Sequence, residues 1–207
     1  MIKQFVLYAP NVHVGGGKVL LQSLLLSWPK SKKLLVFLDM RANGDFKLPD
    51  NSQVVWVSAS LSSRLSAEIC LFKNLTNEDV VLCFHGLPPL LPVSGRVWVF
   101  QQNRNLLGLN PLSQFPLRIK LRLALERFVS RAFRNRVTNY IVQTPTMKRL
   151  LSEWYSGSTE RSKVDIHVFP FMDQIVVQAN EVIRDKKWDF VYVADGTAHK
   201  NHRLLLD

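Results

Sequence analysis

Cysteine is scarce, acidic residues are few, and no apolar run is long. Only Cys70 and Cys83 occur in 207 residues, and both lie in apolar runs. That placement speaks for two buried thiols in a reducing compartment rather than a disulfide framework. Asp and Glu number 16 against 27 Lys and Arg, giving a net charge of +11. A deficit of that size points to a polyanionic partner: nucleic acid, an anionic membrane or a phosphorylated ligand. No uninterrupted apolar stretch approaches the ~18 residues of a membrane-crossing helix. Met1 to Tyr8 holds no long apolar segment of the kind a secretory leader carries. No internal repeat or low-complexity segment is present. What remains is a chain with 47% hydrophobic residues, enough for one core, or one core and part of another.

Seven short runs rich in β-branched and aromatic residues recur: "QFVLY" from Gln4, "LLVFL" from Leu34, "VVWVSA" from Val54, "DVVLCF" from Asp79, "RVWVF" from Arg96, "NYIVQT" from Asn139 and "DIHVFP" from Asp165. Each is continuously apolar rather than alternating, as strands are when helices cover both faces of a parallel sheet. Helical patterns fall between them at Lys18 to Trp28, Ser60 to Leu75, Pro116 to Arg136 and Thr146 to Trp154. The last has Thr144 as a predicted N-cap and Pro145 at the first helical position. Strand and helix in alternation predict an α/β fold, a doubly wound parallel sheet. The predicted first domain spans 1–173. A polar linker follows at 174–188, then a strand, "DFVYVAD" from Asp189, and the start of a helix in 189–207. That last piece reads as the opening of a second α/β domain, and the chain as a fragment of a longer protein.

Five segments carry candidate chemistry. Gly15, Gly16 and Gly17 separate the first strand from the first helix, where backbone N–H groups can approach an anionic ligand. The spacing fits neither the P-loop nor G-x-G-x-x-G. Asp39, ending the second strand, nevertheless occupies the position of a dinucleotide fold's ribose acid, so a cofactor enzyme stays open. His85 lies just beyond the carboxyl end of a strand, where open parallel sheets bind ligands. Gln102, Asn103 and Arg104 follow another strand and offer forked donors for hydroxyls or phosphates, or simply a hydrogen-bonded loop. In "PLRIKLRLALERFVSRAFRNR", Lys120, Arg127, Arg131 and Arg134 share one stripe at helical spacing. Leu121, Leu125, Phe128, Val129, Ala132 and Phe133 share the opposite face. The expectation is an apolar face docked on the sheet and a basic face outward, toward solvent or anionic lipid. No nucleic-acid signature accompanies it. Lys200, in the strand-to-helix loop near the end, suits a phosphate.

Together these segments resemble the amino-terminal half of a retaining GT-B glycosyltransferase, of the large family that includes many bacterial polysaccharide and lipopolysaccharide (O-antigen) enzymes. "DFVYVADGTAHKNHRLLLD" resembles the opening of that family's donor domain, V-G-R-x-x-x-x-K-N followed by a leucine-rich helix. Lys200 and Asn201 match the K-N, with His199 beside them, and Asp195 stands at the arginine's place. "YIVQTPTMKRLL" resembles the last strand and helix of the amino-terminal domain, "VFPFMD" its hinge, and "VGGGKVLL" its glycine-rich first loop. The resemblance implies two doubly wound domains around a cleft and transfer of a sugar with retention of configuration. The donor is a nucleotide-diphosphate sugar, a co-substrate, with no metal or other cofactor. The acceptor is a polysaccharide, lipopolysaccharide or lipid-linked saccharide. It further implies donor phosphates held by Gly15, Gly16, Gly17, His199, Lys200 and Asn201, with His85 as the catalytic candidate. Asn103 and Arg104 would bind acceptor, and Lys120, Arg127, Arg131 and Arg134 would face the inner surface of the cytoplasmic membrane. The family's acidic pair would come later in the second domain, so the 207-residue chain is expected to be inactive alone. The alternative is a non-catalytic basic α/β module binding nucleotide, phosphosugar or nucleic acid.

Overall fold

A computed structural model describes residues 4–109, 111–113, 115–156 and 164–169. The linker, the strand from Asp189 and residues Asp195, His199, Lys200 and Asn201 lie outside them. All seven expected strands form: β1 (Phe5–Ala9), β2 (Leu34–Asp39), β3 (Ser52–Val57), β4 (Val80–Cys83), β5 (Arg96–Phe100), β6 (Asn139–Val142) and β7 (Asp165–Val168). Every pairing is parallel, in the order β3-β2-β1-β4-β5-β6-β7. Four α-helices accompany them: α1 (Gly15–Leu26), α2 (Leu61–Asn74), α3 (Leu117–Ala132) and α4 (Pro145–Ser156). This is a doubly wound, Rossmann-like α/β sheet. Among the described residues no helix is long and apolar enough to cross a membrane.

The continuous apolar runs work because successive strand side chains face opposite layers. Val6 and Tyr8 of β1 join Ala67 and Leu71 of α2 and Met147, Leu151 and Trp154 of α4 in one core. Leu7 and Ala9, their sequence neighbours, join Leu21 and Leu25 of α1 in the other. Both cores hold fully buried large side chains, among them Tyr8, Phe37, Phe84 and Phe100. Each such burial contributes ~1.5–3 kcal/mol. Thr144 caps α4 as expected, its hydroxyl accepting from the Met147 N–H at 3.1 Å. Cys83 is buried and Cys70 partly so, and both are free thiols.

Two sequence expectations need correction. The three glycines are not a loop ahead of the helix. They form the first turn of α1, Gly15 taking a left-handed φ of +69°.

The larger correction concerns α3, which docks by the face expected to lie outward. Leu123 and Ser130 are its buried residues, and Leu123 packs with Leu106 and Phe115. Arg127 donates from Nε to the Asn105 carbonyl at 2.7 Å. The Arg131 guanidinium lies over Gly108, and Lys120 and Arg134 are only partly exposed. The expected membrane-facing stripe of Lys120, Arg127, Arg131 and Arg134 is thus not the outermost face of the helix: Arg127 is bonded to the protein, Lys120 and Arg134 are partly covered, and Arg131 stays exposed at the edge. Leu117, Leu121, Leu125 and Phe128 are 72, 64, 64 and 66% exposed. The docked contact is made around the turn after β5, the short 3₁₀ segment Arg104–Leu107, where Leu106 and Phe115 receive Leu123. Beside it Arg127 gives the half-buried Asn105 carbonyl a donor, which a leucine could not.

Candidate functional site

The strand order reverses between β1 and β4, and open α/β sheets bind ligands in the crevice at such a point. A cleft of about 1010 Å³ lies there. The chain leaving β1 forms one side with Asn11, His13 and Val14, and Gly17 of α1 follows. The chain leaving β4 supplies His85, Gly86 and Leu87. Gln102 and Asn103 come from the end of β5. α2 contributes Leu61, Arg64, Leu65 and Glu68, and α3 contributes Arg118, Arg122, Leu125 and Glu126.

His85 holds the position the sequence expected. Its Nδ1 is 3.4 Å from the Tyr8 carbonyl oxygen, and its ring meets the Tyr8 ring edge-on at 5.4 Å. A carbonyl only accepts, so this contact places the proton on Nδ1 and leaves Nε2 as an acceptor. Burial pushes the imidazole pKa down from 6.5 to about 4, and the nearby Arg64 charge acts in the same direction, against the Tyr8 contact. His85 is therefore neutral at pH 7 and can take a hydroxyl hydrogen bond. The depressed value also sets a sign. The stability that the neutral ring contributes is fully present above pH 6.5 and is lost as pH falls from 6.5 toward 4. We expect His85→Gln to remove this component, so that the parental and variant thermal midpoints converge on acidification across that window. A parental-minus-variant difference that stays flat with pH would contradict the assignment.

The glycines present an open helix end. Val14 caps α1 without a side-chain hydrogen bond, and the first turn has no acidic residue. A Cβ added at Gly15 or Gly16 would meet nothing within 4 Å, whereas one at Gly17 would meet the Gln102 side chain and Val12 at 3.6 Å. Lys18 is bound to Asp45 at 2.7 Å.

Asn103 lines the cleft, but its Oδ1 accepts the Asn105 N–H at 3.0 Å and so caps the following turn. Arg104 is exposed and lies off the cleft wall. Gln102 reaches the cleft instead, its Nε2 held by the Phe84 carbonyl at 3.2 Å. Asp39 is fully buried and bound by both Nε and Nη2 of Arg41, at 2.9 and 2.6 Å. Burial pushes its pKa up, but the Arg41 hydrogen bonds and charge outweigh that and hold it below the ordinary value. A carboxylate fully buried and paired with Arg41 is not presented to a ribose, which counts against the dinucleotide-enzyme reading.

Sequence reasoning missed Glu68. It is buried on α2, accepting from the Tyr8 hydroxyl at 2.9 Å and from the Leu90 and Leu91 N–H groups at 2.8 and 3.3 Å. Burial raises its pKa, against the pull of those hydrogen bonds. It anchors the loop after His85 to α2 and thereby shapes the cleft. Its one sequence signal is a charge in the apolar phase of α2. Among the described residues no group of three His, Cys, Asp or Glu side chains could hold a metal.

These features define an open parallel α/β protein with a ligand-sized cleft at its topological switch point. Comparison with protein-family models, curated proteins and solved structures produced no significant match to the chain.

Proposed function

We propose that the protein is a glycosyltransferase of the retaining GT-B type, with this sheet as the acceptor-side domain. It would transfer a sugar from a nucleotide-diphosphate sugar to a saccharide or lipid-linked acceptor. The observation that carries the reading is the pairing, in one switch-point cleft, of an uncapped helix N-terminus with a neutral histidine. The open end of α1 suits the donor's phosphates, because its N–H groups and dipole favour negative charge. His85 suits a sugar hydroxyl as acceptor through Nε2. Lys200, through the resemblance, adds charge for the leaving diphosphate, which is electrostatic stabilisation of developing charge. The protein would work peripherally at the inner face of the cytoplasmic membrane, through the outward stripe of α3 rather than its basic face.

The test is a thermal-shift panel of nucleotide sugars on the complete natural polypeptide, followed by transfer assays of His85→Gln and Lys200→Ala. A stabilising donor and at least tenfold slower transfer in both variants are expected. Parental rates in both would end the proposal. Gly16→Ala separates fold from site. Its Cβ meets open space, and alanine favours helix over glycine by ~0.5–1 kcal/mol. Unfolding in urea should show that gain while donor binding weakens. Unchanged donor affinity would take the α1 terminus out of the site.

A further inference from the structure

Arg64 sits on α2 at the cleft wall, and nothing in the proposed transfer uses it. Its Nη2 donates to Asn11 Oδ1. Its Nε is buried and, among the described residues, has no hydrogen-bond partner. The carboxylate one helical turn on, Glu68, would ordinarily pair with it. That carboxylate instead uses both oxygens on Tyr8, Leu90 and Leu91. A guanidinium held by one end, with a desolvated N–H left over, is prepared for an anionic oxygen. α3 adds two more guanidiniums to the same cleft, Arg118 and Arg122. Arg118 makes no ion pair among the described residues, and Arg122 lies 3.6 Å from Glu126. The fourth cleft arginine, Arg41, is neutralised by Asp39. Three cations thus face two carboxylates, of which Glu68 is tied into the loop.

The same wall is apolar. Leu61, Leu65 and Leu90, 87, 54 and 47% exposed, line the cleft with Leu125, where the outward stripe of α3 begins. A free phosphate or phosphosugar would need the arginines but not the leucines. A phosphate carried on a hydrocarbon chain would use both. We propose that Arg64, with Arg118 and Arg122, binds the phosphate of an amphiphilic ligand whose hydrocarbon chain lies along Leu61, Leu65 and Leu125. The inference rests on the transferase reading only in making that ligand the acceptor.

Octyl phosphate below its micellar concentration is the probe, titrated calorimetrically into the full chain, with inorganic phosphate and octyl glucoside in parallel. Octyl phosphate should bind at least tenfold more tightly than either. Arg64→Gln should lose tenfold or more of that affinity. The exposed Arg118→Gln, which puts no fold contact at risk, should lose about threefold. Leu65→Ser should weaken octyl phosphate and leave inorganic phosphate unchanged. Parental affinity in both arginine variants overturns the site. Inorganic phosphate binding as tightly as octyl phosphate overturns the amphiphile and makes the cleft a free-phosphate site. Sugar transfer does not enter these titrations. A chain that binds the probe while the complete natural polypeptide transfers no sugar keeps this site and loses the transferase reading. One that transfers sugar with Arg64→Gln unimpaired does the reverse.

Discussion

Changing Leu121, Leu125 and Phe128 together to serine is expected to lower binding to anionic vesicles about 100-fold while leaving the fold intact. All three are about two-thirds exposed, so the folded protein loses little packing, and surface changes of this kind cost about 0.5 kcal/mol or less each. The membrane loses more. Full burial of such a side chain is worth ~1.5–3 kcal/mol, and partial insertion about 1 kcal/mol. Three together give about 3 kcal/mol, or roughly two orders of magnitude. Charge argues for an anionic surface as the occupant of this stripe. From Leu117 to Arg136 the chain holds Arg118, Lys120, Arg122, Arg127, Arg131, Arg134 and Arg136 against the single acid Glu126. On the helix, Arg118 and Arg122 flank one side of the stripe and Lys120 and Arg131 the other, the arrangement of a helix lying in a lipid interface. Cosedimentation with vesicles containing phosphatidylglycerol, against pure phosphatidylcholine, reads both parts. The parent should prefer the anionic vesicles and lose that preference in high salt. A triple variant that sediments like the parent would remove the stripe from the interface. Parental protein that sediments with neither vesicle would remove the membrane altogether.

Glu68→Leu is expected to cost about 3–5 kcal/mol of folding stability, a large share of what a domain of this size has. The leucine is close in volume, so the loss comes from orphaned donors rather than from a cavity. The Tyr8 hydroxyl would be left buried without its acceptor and the partly buried Leu90 and Leu91 N–H groups would lose theirs, at ~1–3 kcal/mol for each group that water cannot reach. Tyr8→Phe removes one donor, so the double variant should recover part of the loss, and a double-mutant cycle in urea measures how much. A single-variant cost below 1 kcal/mol would show that the loop after His85 does not depend on this carboxylate. The acidity of Glu68 gives a separate test. Its folded pKa is raised above 4.5 by burial. Its contribution to stability is therefore fully present below pH 4.5 and is lost as pH rises through the folded value. Glu68→Gln cannot ionise, so the parent should lose stability relative to it as pH rises from 4.5. A difference independent of pH would mean that the carboxyl does not titrate differently on folding.

Much of the fold was legible in the sequence because parallel strands covered on both faces leave a strong trace. Every one of the seven runs is a strand, and all four helical patterns are helices, with Thr144 at its cap. His85 was legible for a related reason: the carboxyl end of a strand is a place the topology assigns before any side chain is positioned. Asn103 and Arg104 were less so. Which of three consecutive polar residues faces a cleft depends on one turn, and that turn points Gln102 inward and uses Asn103 as a cap. Asp39 had the right position for a ribose ligand and the wrong neighbour, since Arg41 takes both of its oxygens.

The sequence by itself determined the elements, their order and the sheet end at which His85 stands, because periodicity, strand chemistry and chain connectivity are local. Only the tertiary structure decided which face of α3 docks. Helical periodicity separates Leu121, Leu125 and Phe128 from Lys120, Arg127 and Arg131, but it does not say which group meets the protein. That choice depends on contacts distant in sequence, Leu123 on Leu106 and Phe115 and Arg127 on the Asn105 carbonyl, which helical periodicity does not encode. With Leu123 docked and Arg127 bonded beside it, the apolar stripe faces outward, and with it the surface most suited to a membrane.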